Sequence, residues 1–178
     1  MEYSTHEAGR HRTGQRLQPS VQHGNSGLRR RLMSVSYAHE DELYRKRFRK
    51  ALAGLRRRGL IMWDDREVDA GAKWEKEIIA RFREADSIVF LVSPDLLDSD
   101  YVYIEMELAL ELHHLQLVPV IPVIVRPADW EDSPLGIFQA LPENGRAVSI
   151  WPNKDQAWQD VTKGIRKIVA LLQRLGSH

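Results

Sequence analysis

The run Ser87–Val92, SIVFLV, shows no alternation between polar and apolar positions. A half-solvated strand alternates, so a run apolar on both sides has to be a strand covered from two directions. Such strands belong to parallel sheets with helices on each face, and the flanking sequence agrees. From residue 32 onward, strand-like and helix-like segments take turns. Leu32–Tyr37, Leu60–Trp63, Ser87–Val92, Val120–Val125 and Ala147–Trp151 read as five strands. Asp41–Arg58 carries Tyr44, Phe48, Ala51, Leu52 and Leu55 at helical period, with Gly59 as its C-cap. Trp74, Ile78, Ile79 and Phe82 mark a second helix, and Asp100–Leu112 a third. The last opens on Asn153 with Gln156, a capping-box spacing, and bears the stripe Trp158, Val161, Ile165, Ile168, Val169 and Leu172. Asp64–Gly71 is expected as a polar loop, Ser93–Asp98 as a turn and Arg126–Arg146 as mostly loop. Pro122, inside the fourth strand, suits a sheet edge or a strand start.

Crossovers of this length demand parallel pairing with right-handed connections. The sequence therefore predicts an α/β fold: a flavodoxin-like, doubly wound, five-stranded parallel sheet in the order 2-1-3-4-5. In that order, ligands bind beyond the carboxyl ends of strands one and three, where the strand order reverses. Strand one ends at Ser36-Tyr37-Ala38-His39. Strand three ends at Val92-Ser93-Pro94, which leads into the helix carrying Glu105.

Composition restricts the function classes. The 178 residues fit one domain, 32–175, behind a basic N-terminal tail, 1–31, expected to be disordered because it has few large apolar residues. Six arginines against Glu2 and Glu7 give the tail +4, and the remaining 20 basic and 23 acidic residues give −3. Arg29–Arg31 is a weak patch for nucleic acid, so neither nucleic acid nor membrane is expected as a partner. There is no cysteine, hence no disulfide or thiolate metal site. The longest apolar run, Leu117–Val125, is too short to span a bilayer. With no signal-peptide pattern, a cytoplasmic location is expected. No GxSxG, Walker A or GxGxxG motif occurs, and no His/Asp/Glu set has zinc spacing.

Glu105 is the odd residue of its helix. Tyr101, Ile104, Leu108 and Leu112 read as the inward stripe, and Glu105 borders it. A carboxylate beside apolar surface loses solvation, which favours its neutral form; it could act as an acid or stabilise a cationic, sugar-like transition state. An exposed helix glutamate or an ion-pair partner fits the same spacing. His39 reads equally as a solvated turn residue, and His113-His114 complements a helix end.

Several blocks, in order, resemble the TIR (Toll/interleukin receptor) domain family in its bacterial form. Val35-Ser36-Tyr37 followed by His39-Glu40-Asp41 is similar to the opening strand motif. Trp63-Asp64-Asp65-Arg66, Ala70-Gly71 and Trp74 resemble the end of the second strand, the BB loop and the next helix. Ala85–Pro94 resembles the third strand and its turn, and Ser99-Asp100-Tyr101 leading to Glu105 the segment bearing the family's glutamate. Arg126–Trp130, Gln139–Pro142 and Val148–Trp151 resemble the later blocks.

The resemblance implies an NAD+ glycohydrolase that cleaves the nicotinamide–ribose bond and yields nicotinamide with ADP-ribose or a cyclic or related product. It implies Glu105 as the catalytic residue, with Ser36, Ala38, His39, Gly71, Trp74 and Tyr101 binding substrate. Tyr101 stands where the family commonly has Trp, and Ala38-His39 where some active members have an arginine. No metal or cofactor is implied, NAD+ being the substrate. Implied too are self-association with other TIR domains, a sensor that can be a separate protein, and a setting in immune or anti-phage signalling. The alternative implied by the same family is a non-catalytic interaction or adaptor module acting through BB-loop contacts. An effector that dampens TIR signalling is a third.

Overall fold

In the computed structural model, which describes residues 30–64 and 74–175, β3 (Ser87–Val92) lies inside the sheet with all six residues buried. It pairs in parallel with β1 (Arg31–Tyr37) on one side and β4 (Val120–Ile124) on the other. β2 (Leu60–Asp64) pairs with β1 and completes the order β2-β1-β3-β4. The order reverses between β1 and β3, as the segment alternation predicts. The registers Tyr37↔Leu91 and Leu91↔Val123 bring three carboxyl ends level.

Helices cover both faces because β3 needs both covered. α1 (Glu42–Ala51) and α6 (Lys154–Leu175) close one side, where Val89 and Leu91 meet Met33, Val35, Tyr37, Phe48, Val161 and Ile165. α3 (Trp74–Glu84) and α5 (Asp100–Gln116) close the other, where Ile88, Phe90 and Val92 meet Ile78, Phe82, Met106 and Ala109. Each such large side chain contributes about 1.5–3 kcal/mol on burial. Two short helices join these elements, α2 (Ala53–Arg56) and α4 (Pro94–Leu97). The helix predicted over Asp41–Arg58 is thus divided: a 3-10 turn over His39–Asp41 precedes α1, and Leu52 (φ −84°, ψ 10°) separates α1 from α2. Gly59, at φ 108°, ends it in a conformation that side chains disfavour. Asn153 caps α6, its Oδ1 accepting from the backbone N–H groups of Asp155 (2.9 Å) and Gln156 (3.2 Å).

Three sequence expectations are revised. Arg31, placed in the tail, is the first residue of β1, and its guanidinium bonds Asp86 (2.7 Å) and the Leu172 carbonyl (2.7 Å). Ser93–Asp98, expected as a turn, contains α4, with Ser93 as cap and Pro94 at its first position. Ala147–Trp151, expected as a fifth strand, is a 3-10 turn over Val148–Ile150, so the described residues form a sheet of four strands. The lane beside β4 is taken instead by Leu141, whose N–H donates to Pro122 (2.8 Å) and whose carbonyl accepts from Ile124 (2.7 Å). A strand residue points its N–H and C=O to the same side, so Pro122 turns its missing donor toward Leu141. That edge cannot carry a full ladder, and Val148 is buried against the α1/α6 layer as a turn residue instead. The remaining tail, 1–29, and most of the expected loop, 65–71, lie outside the described residues.

Two glycines separate open from crowded backbone. A Cβ on Gly54, in α2, would meet nothing within 4 Å, whereas on Gly136 it would lie 1.8 Å from the Glu131 carbonyl oxygen. Gly54→Ala is expected to stabilise the protein by about 0.5–1 kcal/mol, and Gly136→Ala to destabilise it by about 1–3 kcal/mol. Urea denaturation midpoints should therefore move in opposite directions; a shift of Gly136→Ala to higher urea would contradict the tight turn at 134–137.

Candidate functional site

α5 sets the site. Its Ser99 cap accepts from the Val102 N–H, and its inward face is Val102, Glu105, Met106, Ala109 and Leu112. This corrects the stripe expected from periodicity: Ile104 is 54% exposed and Glu105 only 5%. The helix offers large apolar residues on every side, so spacing alone could not choose the buried one. Glu105 stands within the inward stripe rather than at its border.

A carboxylate removed from water needs donors. β1 supplies one, because its side chains alternate. Met33, Val35 and Tyr37 face the α1/α6 layer, while Ser34 and Ser36 face α3 and α5. The Ser36 hydroxyl donates to Glu105 Oε2 at 2.5 Å, at the short end of the range for hydroxyl-to-carboxylate bonds. Ser36 is itself buried, so the pair spans β1 and α5 at the point where the strand order reverses.

The other expected site residues divide. Ala38, two residues past Ser36, is buried in the same layer as Met106 and Phe90. Tyr101 sits one helical turn before Glu105 and packs half-buried against that layer. The structure thus brings Ser36, Ala38, Tyr101 and Glu105 to one side of the sheet. His39 is exposed, with its ring edge-on to Tyr37 (6.4 Å between centroids), beside the other layer. Trp74 opens α3 at the backbone level. Gly71 lies outside the described residues.

A second polar cluster was not anticipated. Asp41, fully buried, follows β1; Ser93 follows β3; Arg126 follows β4. The Ser93 hydroxyl donates to Asp41 and accepts from the Leu96 N–H (3.1 Å), which starts α4. Arg126 Nε donates to the other Asp41 oxygen (2.9 Å), and its guanidinium also pairs with Asp95 of α4. One carboxylate therefore ties together three strand ends and the short helix that feeds α5. The signal for it was positional: a polar residue just beyond each of three adjacent strands.

A third cluster secures the end of β2. Arg45 of α1 grips both oxygens of Glu42 (2.8 and 2.9 Å), donates to Asp64 (2.7 Å) and lies over the Tyr37 ring. The Glu42 hydrogen bonds, followed by the Asp64 charge, hold Arg45 protonated more firmly than a free guanidinium, against the opposing effect of burial. Among the described residues no His/Asp/Glu group could hold a metal ion, and no helix is long and apolar enough to cross a membrane.

Residues 34–169 match the family model described as TIR domain. The chain is 39% identical over 144 residues to the uncharacterized protein y4lF of Sinorhizobium fredii, covering 80% of this chain and 45% of that protein, so it spans less than half of that relative. Among solved structures it is similar to the TIR domain of the Toll-related receptor TRR-2 from Hydra magnipapillata, at TM-score 0.54 and 19% identity over 75% of this chain and 97% of that one. The TIR domains of the activated Roq1 resistosome align at TM-score 0.46 and 16% identity, over 79% and 84% of the two chains.

The Asp41 cluster has an asymmetric energetic signature. Arg126→Ala strands a fully buried carboxylate and is expected to cost about 3–5 kcal/mol. Asp41→Asn keeps a polar group of the same shape facing Ser93 and Arg126, and is expected to cost less, about 1.5–3 kcal/mol. Chemical denaturation of both variants checks the order; equal and negligible losses would mean that the cluster does not secure the strand ends.

Proposed function

This chain belongs to the TIR domain family, and from that premise we propose that it is an NAD+ glycohydrolase with Glu105 as its catalytic residue. The observation that supports this most is the buried Glu105 carboxylate, aligned by Ser36 at the reversal of strand order between β1 and β3. That is the position at which open α/β sheets take up ligands.

The chemistry needs little else. Nicotinamide in NAD+ is a cationic leaving group. Cleavage of its bond to the ribose C1′ sends the electron pair to the ring nitrogen and releases a neutral molecule. Positive charge then develops on the ribose. Glu105, pre-oriented in a site poor in water, stabilises that charge or holds the ribose hydroxyls, for about several kcal/mol. Water adds at C1′ and gives up a proton, producing ADP-ribose; an internal nucleophile adding there instead gives a cyclic product. Tyr101 supplies ring surface one turn away, and Trp74, at the start of α3, is the second aromatic candidate. Ala38, His39 and Gly71 complete the proposed substrate-binding set. Ser36 is a positioning residue, since its hydroxyl is directed at Glu105. No metal is required. We place the activity in cytoplasmic immune or anti-phage signalling, switched on by assembly of TIR domains.

Incubation of the concentrated full chain with NAD+, with nicotinamide followed by chromatography, tests this directly. Glu105→Gln is expected to reduce turnover by about a hundredfold or more, equivalent to about 2.7 kcal/mol of transition-state stabilisation. Ser36→Ala is expected to fall between that variant and the parent. Equal turnover in parent and Glu105→Gln removes Glu105 from the mechanism. Absence of turnover in any sample favours the interaction-module reading of the family.

A further inference from the structure

α1 and α6 each have one apolar and one charged side, as helices packed on a sheet normally do, but α5 carries large apolar residues on its outward side as well. Its inward face is filled. Its outward face exposes Tyr103 (41%), Ile104 (54%) and Leu115 (72%). Between them stand Glu107 and Glu111, both exposed and neither paired with a cation among the described residues. Large apolar side chains clustered around two carboxylates form a contact surface that water does not favour.

A surface of opposite character lies on the other side of the sheet. A groove of about 1510 Å³ runs between α1 and α6, lined by Arg47 and Lys50 from the first helix and Lys163 and Arg166 from the second, beside Trp151. None of these four cations pairs with a carboxylate among the described residues. Asp155 and Asp160 also line the groove but leave it positive, and Asp160 already accepts from the Glu143 N–H (2.7 Å). The groove exceeds the roughly 300–1,000 Å³ typical of small-ligand pockets and suits a macromolecular occupant.

We propose that the occupant is a second copy of this chain, whose α5 outer face seats in the α1–α6 groove. Glu107 and Glu111 meet the four cations, and Tyr103, Ile104 and Leu115 meet the apolar parts of the groove. The two surfaces cover opposite faces of one sheet, so a chain cannot satisfy its own pair. The contact is therefore head-to-tail and leaves one free surface at each end, from which a ring or filament grows. The charges set partner choice and register, and the apolar residues supply most of the affinity. This gives the assembly invoked for activity its surfaces, and it stands or fails without reference to NAD+ cleavage.

Sedimentation velocity of the full chain over a wide concentration range tests it, independently of any turnover. The parent is expected to associate progressively, more weakly in high salt. Glu107→Lys/Glu111→Lys and Lys50→Glu/Arg166→Glu each set like charges against each other and are expected to be monomeric. Mixed together, the carboxylates of the second variant meet the unchanged groove of the first, which restores the original contact, so association is expected to return at least to pairs. Ile104→Ser, at an exposed position that the fold does not need, is expected to weaken association about tenfold with no change in net charge. Three results would overturn the proposal. One is a parent chain that stays monomeric throughout, as it would if its own basic segment 1–29 covered α5. The second is parental association in Lys50→Glu/Arg166→Glu, and the third is a mixture that does not reassociate.

Discussion

β3 has no side that can face water, and the rest of the molecule is arranged around that constraint. Six consecutive buried residues require a strand on each edge and a helical layer on each face. Parallel neighbours require crossovers, which are the helices themselves. Once β1 and β4 flank β3, the chain has to leave β1 in one direction and return on the other side, so the strand order reverses between β1 and β3. Glu105 is placed beside the end of β1 by the helix that covers β3, so the same burial that stabilises the sheet also removes the carboxylate from water.

The polar groups at these strand ends run against the economy of an apolar core. Glu105, Asp41, Ser36 and Ser93 are all buried, where a well-packed hydrophobic side chain would often be as stable or more so. What they have in common is mutual hydrogen bonding. Ser36 serves Glu105, while Ser93 and Arg126 serve Asp41. The first pair orients one carboxylate across β1 and α5; the second fixes the loops on which that orientation depends. Polar groups carried on strand ends and helices, rather than on free loops, are held within a narrow range of positions.

How much of this could be read from the sequence depended on whether the signal was one-sided. The unbroken apolar run of β3, the long stripe of α6 and the Asn153 cap each admit one interpretation, and the structure agrees with it. Gly59 was legible because only its backbone freedom mattered. α5 was misjudged in its rotation because it offers apolar residues on every side, so Ile104 and Glu105 exchanged places between expectation and structure. Ala147–Trp151 has strand composition, but the lane beside β4 is held by Leu141 through Pro122 and Ile124, a pairing that local composition does not announce. The Asp41–Ser93–Arg126 cluster is hard to read for a similar reason: a polar residue beyond one strand acquires meaning only when three strands end side by side. Glu105 was singled out by spacing, but its partnership with Ser36 required the register of β1 against the helix layer.

The proline in β4 bears on more than strand count. A parallel sheet with an open flank is a template on which another extended chain can crystallise, the usual route from a native fold to an insoluble one. Here the flank offers a carbonyl without its companion donor at Pro122, and Leu141 already occupies the one complete site beside it. An extended peptide arriving from solution would find neither a continuous row of donors nor room to align. Growth by strand addition is thereby discouraged on this side, and the parallel sheet stays a single closed unit there rather than the seed of a fibre.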